Sequence, residues 1–220
     1  IVEVAAVHTP SAPAHFVSIS EDHLIEGHKK LTDAIHENGG KAGIQLWQGS
    51  IAVSMDPKAQ VLVVSDMNFG PYTIKAITKE QIQEVIACYG KAAARAVEAG
   101  YDCLEFHLAH NYLPHSFLSA GFNHREDEYG GSFENCCRFP LEVIDELRTI
   151  CEEEKRPLIM SPLSEADREQ MLTWYPEQFL IQGDRNDYDY IYSREKLATL
   201  AGKKMHGKRN HIARFQDEDD

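Results

Sequence analysis

Hydrophobic positions alternate between two rhythms over the first 160 residues. Residues 1–7, IVEVAAV, form a β-branched apolar run followed by a loop rich in Pro and Ser, and read as a buried strand. Ser20 stands where it can cap a helix whose inner face carries Leu24, His28, Leu31 and Ile35, at spacings of three and four. Gly39 and Gly40 close that helix, and residues 41–47, KAGIQLW, give the second strand. A long loop with a short strand at 61–64 leads to Thr78 and Gln81, which are spaced for a capping box. The helix they open presents Ile82, Val85, Ile86, Tyr89, Ala93, Ala96 and Val97 on one side. Gly100 stops it before a third strand at 101–107. Ser132 caps the next helix, which Pro140 interrupts and restarts as a first-turn proline, with Leu141, Ile144 and Leu147 facing inward. RPLIM, 156–160, is the fourth strand.

Strand–helix alternation of this kind predicts an α/β fold of parallel strands joined by right-handed helical crossovers. The pattern alone does not separate a closed barrel from an open doubly wound sheet. The opening run reads as a strand in mid-fold, so a domain cut at its N-terminus is expected.

Composition narrows the classes. A hydrophobic content of 43% suits a packed core, and a formal charge of -13 argues against nucleic acid or an anionic membrane as partner of the whole chain. No apolar run approaches the ~18 residues of a membrane span, and the start carries no signal-peptide pattern. The five cysteines, Cys88, Cys103, Cys136, Cys137 and Cys151, are odd in number and lack C-x-x-C spacing. That speaks against a disulfide framework or zinc site and for a cytoplasmic protein.

Chemistry concentrates just after the third strand. HLAHNY places His107, His110 and Tyr112 at a strand end, which brings two imidazoles and a phenol together for acid–base or anion-binding work. Metal binding by His107, His110 and His115 is a weaker alternative, because a loop fixes ligands poorly. The following string, NHREDEYGGSFENCCRF at 123–139, completes a pattern that resembles the old yellow enzyme family of FMN-dependent NADH:flavin oxidoreductases, in the branch with 2,4-dienoyl-CoA reductase. Cys136 departs from it, standing where the family has arginine.

The resemblance implies a partial TIM (β/α) barrel over residues 1–160, strands two to five of eight, against the ~250 residues of a complete barrel. It implies His107 and His110 as donors to a substrate oxygen and Tyr112 as proton donor. Gln45 and Val4, with His107, fall at flavin contacts. Gln48 stands where many members have histidine. FMN and NAD(P)H are the implied cofactors, and a small enone or enoyl compound is the implied substrate. The phosphate-binding strands of the family have no counterpart here, so weak FMN binding and an inactive chain are expected. The Tyr129–Gly130–Gly131 turn is expected to be structural, with both glycines at positive φ and Arg125 paired with Asp127.

After Met160 the pattern changes. Within 187–215, Tyr190, Tyr192, Gly202, Lys203, Lys204, Arg209, His211 and Phe215 belong to words resembling the C-terminal, GNAT-like domain of phosphatidylglycerol lysyltransferases. A second piece, 161–220, is therefore expected as a small α+β segment ending in a disordered acidic tail, QDEDD. Its lysines and arginines fit a solvated helix face better than a lipid or RNA site. Three readings follow: an ene-reductase; a non-catalytic half-barrel that forms a homo-oligomer to cover its open edges; and an acyl or aminoacyl transferase.

Overall fold

The computed structural model describes residues 1–156, 165–174, 176 and 198–218. The chain divides into two compact units, Ile1–Leu158 and Ile159–Asp220.

In the first unit, strands β1 (Val2–Ala6), β2 (Val17–Ser18), β3 (Gly43–Trp47) and β6 (Cys103–Phe106) form one parallel sheet in the order β2-β1-β3-β6. Two short strands, β4 (Met67–Phe69) and β5 (Tyr72–Ile74), make a separate antiparallel hairpin in the long loop. The expected strand at 61–64 is reduced to one bridge between Val63 and Ala76. The fourth strand expected at 156–160 lies outside the described residues, apart from Arg156. That side chain donates to the carbonyls of Tyr101 and Asp102, at the entry to β6.

Helices α1 (Ile25–Glu37), α2 (Lys79–Glu98), α3 (Leu113–Leu118) and α4 (Phe133–Glu153) supply the cover. Ile44 and Leu46 point from the sheet into a core shared with Val85, Tyr89, Phe117, Phe139 and Val143. Full burial of a large aliphatic or phenyl side chain contributes roughly 1.5–3 kcal/mol, so this layer carries most of the unit's stability. The Thr78–Gln81 capping box forms in both directions, and Ser132 Oγ accepts from Asn135 N at 3.2 Å. Gly90 lets α2 meet α4 closely, since a Cβ there would stand 2.8 Å from Glu146 Oε2.

Several local expectations are corrected. Ser20 does not cap α1. Its hydroxyl bonds Thr9 and Ser18, and the helix is entered instead through a 3-10 turn, Asp22–Leu24. His28 and Thr32 are the buried residues of α1, whereas Leu31 is 41% exposed. His28 is held there by Tyr101 Oη at 2.8 Å and the Ser18 carbonyl at 2.9 Å, so polar partners take the place of aliphatic packing. Pro140 does not break α4, which is continuous. Pro140 is buried beside Phe139, whose ring stacks on Phe117 at 4.5 Å, and this packing offsets the lost helical hydrogen bond. Val143 takes the inward position expected for Leu141, which is exposed.

In the second unit the described residues form α5 (Glu165–Trp174) and α6 (His206–Glu218), the latter entered by a 3-10 turn, Lys203–Met205. Arg209 donates to the carbonyls of Leu200 and Gly202 and so closes the turn ahead of α6. The helix runs through Glu218, so the first three residues of the expected disordered tail are helical. Any strand in this unit lies outside the described residues.

Candidate active site

Register builds the site. Val4, Gln45 and Glu105 are Cα partners across three parallel strands, and Ala6 partners Trp47 two pairs further on. His107 N donates to the Leu46 carbonyl at 3.0 Å, which carries the ladder one residue past β6. Alternation then puts Val4, Gln45, Trp47, Glu105 and His107 on the face opposite Ile44, Leu46, Leu104 and Phe106. His107 and Trp47 lie at the C-terminal ends of their strands, where barrel enzymes hold their chemistry. Gln45 is two pairs deeper on the same face. Neither row carries a Lys or Arg.

The loop after β6 folds back sharply. His110 and Asn111 both adopt left-handed backbone, with φ of 57° and 56°. Asparagine tolerates this region better than most residues, and the Asn111 side chain is braced by His115 Nδ1 at 2.9 Å. His115 is thereby committed to Asn111. The turn brings the three rings together: His107 to Tyr112 at 4.8 Å, His107 to His110 at 5.5 Å, and His110 to Tyr112 at 6.1 Å between centroids. Trp47 stands edge-on to Tyr112 at 5.3 Å.

Burial lowers the pKa of His107 from the ordinary 6.5, and the neighbouring His110 lowers it further. At neutral pH His107 is therefore a neutral imidazole with one N–H to give. Among the described residues no other residue's polar atom hydrogen-bonds the rings of His107 or His110, or the Tyr112 hydroxyl. The Trp47 indole N–H is buried and likewise lacks a partner. A set of donors held by packing rather than by mutual bonds suits an oxygen-bearing ligand. Gln45, whose amide both donates and accepts, matches the polar edge of a flavin pyrimidine, and Val4 and Trp47 offer apolar surface beside it. These side chains fit the ring of a flavin; a phosphate would need partners from elsewhere.

Trp47 and Gln48 are the site residues that pattern reading undervalued. Strand alternation gives the signal for the first, since Trp47 is two residues from Gln45 and must share its face. Gln48 is only 2% exposed and is bonded through both its amide nitrogen and its amide oxygen, which no sequence pattern announces.

Further along the chain, Asn123 to Ser132 forms a tight platform. Arg125 grips Asp127 with two bonds, at 2.6 and 3.0 Å, and donates to the carbonyls of Val64 and Ile77. Gly131 has φ of 82°, whereas Gly130 does not take positive φ. Gly130 is required by space, because a Cβ there would lie 2.5 Å from the Arg125 carbonyl oxygen.

The chain is similar in sequence and in fold to known proteins. NADPH dehydrogenase of Bacillus subtilis (strain 168) is 39% identical over 153 residues, covering 68% of this chain and 45% of that protein. NADPH dehydrogenase of Bacillus velezensis is 43% identical over 131 residues, covering 60% and 38%. Among solved structures, morphinone reductase superposes with a TM-score of 0.59 at 30% identity, covering 67% of this chain and 45% of that one. Old Yellow Enzyme from Pichia sp. AKU4542 superposes with a TM-score of 0.61 at 30% identity, covering 67% and 42%. The first unit is thus part of a TIM barrel, and the chain spans less than half the length of these relatives. The profile of the NADH:flavin oxidoreductase / NADH oxidase family matches residues 1–218, and the chain belongs to that family.

Proposed function

We propose that the chain carries the substrate-facing part of an FMN-dependent NAD(P)H oxidoreductase site that reduces an activated C=C bond. The observation that carries this reading is the cluster of His107, His110 and Tyr112 at a parallel strand end, whose donors, among the described residues, bond no other residue. His107 and His110 hold the carbonyl oxygen of an enone and stabilise the negative charge that develops on it. Tyr112 delivers a proton to the substrate carbon opposite the hydride-accepting one. Gln45 bonds the flavin pyrimidine edge, with Val4 lining the same row. When bound there, FMN would supply the hydride, drawn from NADH or NADPH. An α,β-unsaturated carbonyl fits because its oxygen can accept two hydrogen bonds while its β-carbon stays open. A 2,4-dienoyl thioester, as the branch resemblance suggests, meets the same requirement.

The test is enone-dependent oxidation of NADPH and of NADH by the full chain with added FMN. Turnover should fall about 100-fold or more in the His107→Ala/His110→Ala variant, which loses both oxyanion donors. Turnover unaffected by that variant would overturn the assignment. Weak retention of FMN is expected, since the described rows hold the ring edge and no phosphate partner; gel filtration with flavin absorbance reads this directly. For the C-terminal unit, the lysyltransferase-like words remain a second reading, which acyl-CoA or aminoacyl-tRNA binding would favour. The family match through residue 218 favours the first.

A further inference from the structure

Three loops follow the C-terminal ends of β1, β3 and β6, and one residue reaches all of them, two through its side chain and the third through its backbone. Gln48 is buried at 2% exposure. Its Nε2 donates to Ser11 Oγ at 2.7 Å, in the loop after β1. Its Oε1 accepts from Ser50 N at 2.9 Å, in the loop after β3. Its backbone carbonyl accepts from Leu113 N at 3.1 Å, in the first turn of α3 where the loop after β6 ends. Leu113 is the residue next to Tyr112.

The chemistry fixes the direction of this chain of bonds. The Glu84 carboxylate beside His8 Nε2 calls for a hydrogen there, so Ser11 Oγ, which accepts from Gln48, gives its own hydrogen to His8 Nδ1 at 2.7 Å in preference to the His8 carbonyl at 3.4 Å. His8 Nδ1 is then the acceptor and Nε2 carries the hydrogen, facing Glu84 Oε1 at 3.6 Å. Burial lowers the His8 pKa, in keeping with this neutral tautomer. On the other side Ser50 sits at φ 49°, a conformation serine seldom adopts, and its hydroxyl donates to the Leu62 carbonyl at 2.8 Å. Gln48 thus holds a strained turn as well as two neighbouring loops. Trp47, which packs edge-on against Tyr112, is its immediate neighbour.

We propose that Gln48 is a positioning residue that sets the Tyr112 phenol over the substrate, by clasping the loops after β1 and β3 and anchoring the backbone that follows Tyr112. This rests on the ene-reductase reading given above. Packing alone would leave Tyr112 on a short loop whose two preceding residues are in left-handed backbone. With the clasp intact, the carbonyl that receives Leu113 N–H cannot turn. A displacement of a reacting group by about 1 Å can cost about 100-fold in rate, so the clasp belongs to proton delivery as well as to folding.

The experiment uses the full chain carrying Trp174→Phe, which leaves Trp47 as the sole tryptophan. Gln48→Leu and Ser11→Ala break the clasp. Thr32→Val removes a buried hydrogen bond to the Ala99 carbonyl at the opposite end of the sheet and serves as a control for lost stability. Two readouts are taken below the melting transition of every variant. The first is Trp47 emission with acrylamide quenching. The second is NADPH oxidation with added FMN, driven either by an enone, which needs a proton from Tyr112, or by ferricyanide, which needs none. In Gln48→Leu, enone turnover should fall at least about tenfold while ferricyanide turnover stays within about twofold. Trp47 emission should shift to the red and quench more strongly, and Thr32→Val should change neither ratio nor spectrum. An equal fall with both acceptors, or an unchanged Trp47 spectrum in Gln48→Leu, overturns the assignment. If the parent turns over neither acceptor, the ene-reductase reading fails, while Trp47 emission still decides whether Gln48 holds the rim.

Discussion

Tyr89 carries a hydroxyl into the middle of the apolar layer. Its ring is fully buried and packs edge-on against Phe106 at 5.2 Å, and its oxygen has no hydrogen-bond partner among the described residues. Burial drives the phenol pKa far above its ordinary value, so the group stays neutral, but the O–H is still deprived of water. An unsatisfied buried hydroxyl costs roughly 1–3 kcal/mol, while the ring itself contributes what a phenylalanine would. Tyr89→Phe should therefore stabilise the chain by about 1 kcal/mol, read as a higher urea midpoint at unchanged slope. A lower midpoint would mean that the hydroxyl has a partner such as a buried water. The contrast with Tyr129 is instructive. That phenol receives a bond from Gln83 and donates to Glu142 at 2.9 Å, and its pKa is pushed up to about 12, by burial first and by Glu142 second.

At the scale of elements, the platform from Asn123 to Ser132 shows how one turn can require two glycines for different reasons. Gly130→Ala forces a methyl against the Arg125 carbonyl and Asn123 Oδ1, and neither can retreat. Asn123 is tied to the carbonyls of Phe117 and Tyr129, and Arg125 to Asp127. Gly131→Ala meets open space but a φ of 82°. The first should cost roughly 1–3 kcal/mol as overpacking and the second about 1 kcal/mol as backbone strain, a ranking that thermal melts of the two variants check. Pattern reading locates this turn and its Arg125–Asp127 pair, because both are local in sequence. It also finds the three main strands, both side-chain caps and the His107–Tyr112 cluster, since each depends on spacing within a few residues. It misses what distance decides. Ser20 is drawn away from its helix by Thr9 and Ser18, and Pro140 is tolerated because Phe117 and Phe139 stack beside it. Gln48 joins residues 11, 50 and 113. None of these competitions has a period that a window along the chain could detect.

Across the whole first unit, buried or paired ionisable groups stand at both ends of the sheet and titrate in different ranges. His8 and His107 occupy the C-terminal rim, both with pKa values below the ordinary 6.5, chiefly through burial. Asp102 lies at the other end, where Lys41 Nζ at 2.8 Å, the Ala42 N–H and His36 hold its carboxyl well below the usual carboxylate range. Asp127 is lowered first of all by its bonds to Arg125. For the histidines, the unfolded chain takes up protons at a higher pH than the folded one. Stability is therefore full above about 6.5 and falls as pH drops from there toward the folded values. For the aspartates, stability is present above the ordinary 3.8 and is lost only as pH falls through the lowered folded values. Acid should act in two stages, the rim first and the far end later. Urea midpoints measured from pH 8 downward should stay level and then decline below about 6.5. His8→Gln with His107→Gln should flatten that first decline, and Asp102→Asn should leave it in place while lowering the plateau at neutral pH. A single decline confined to the carboxylate range in the parent would show that neither rim histidine is held neutral by the fold. His107 would then gain its charge as an ordinary histidine does, and only below about 6.5 would a substrate-binding argument have to treat it as an imidazolium.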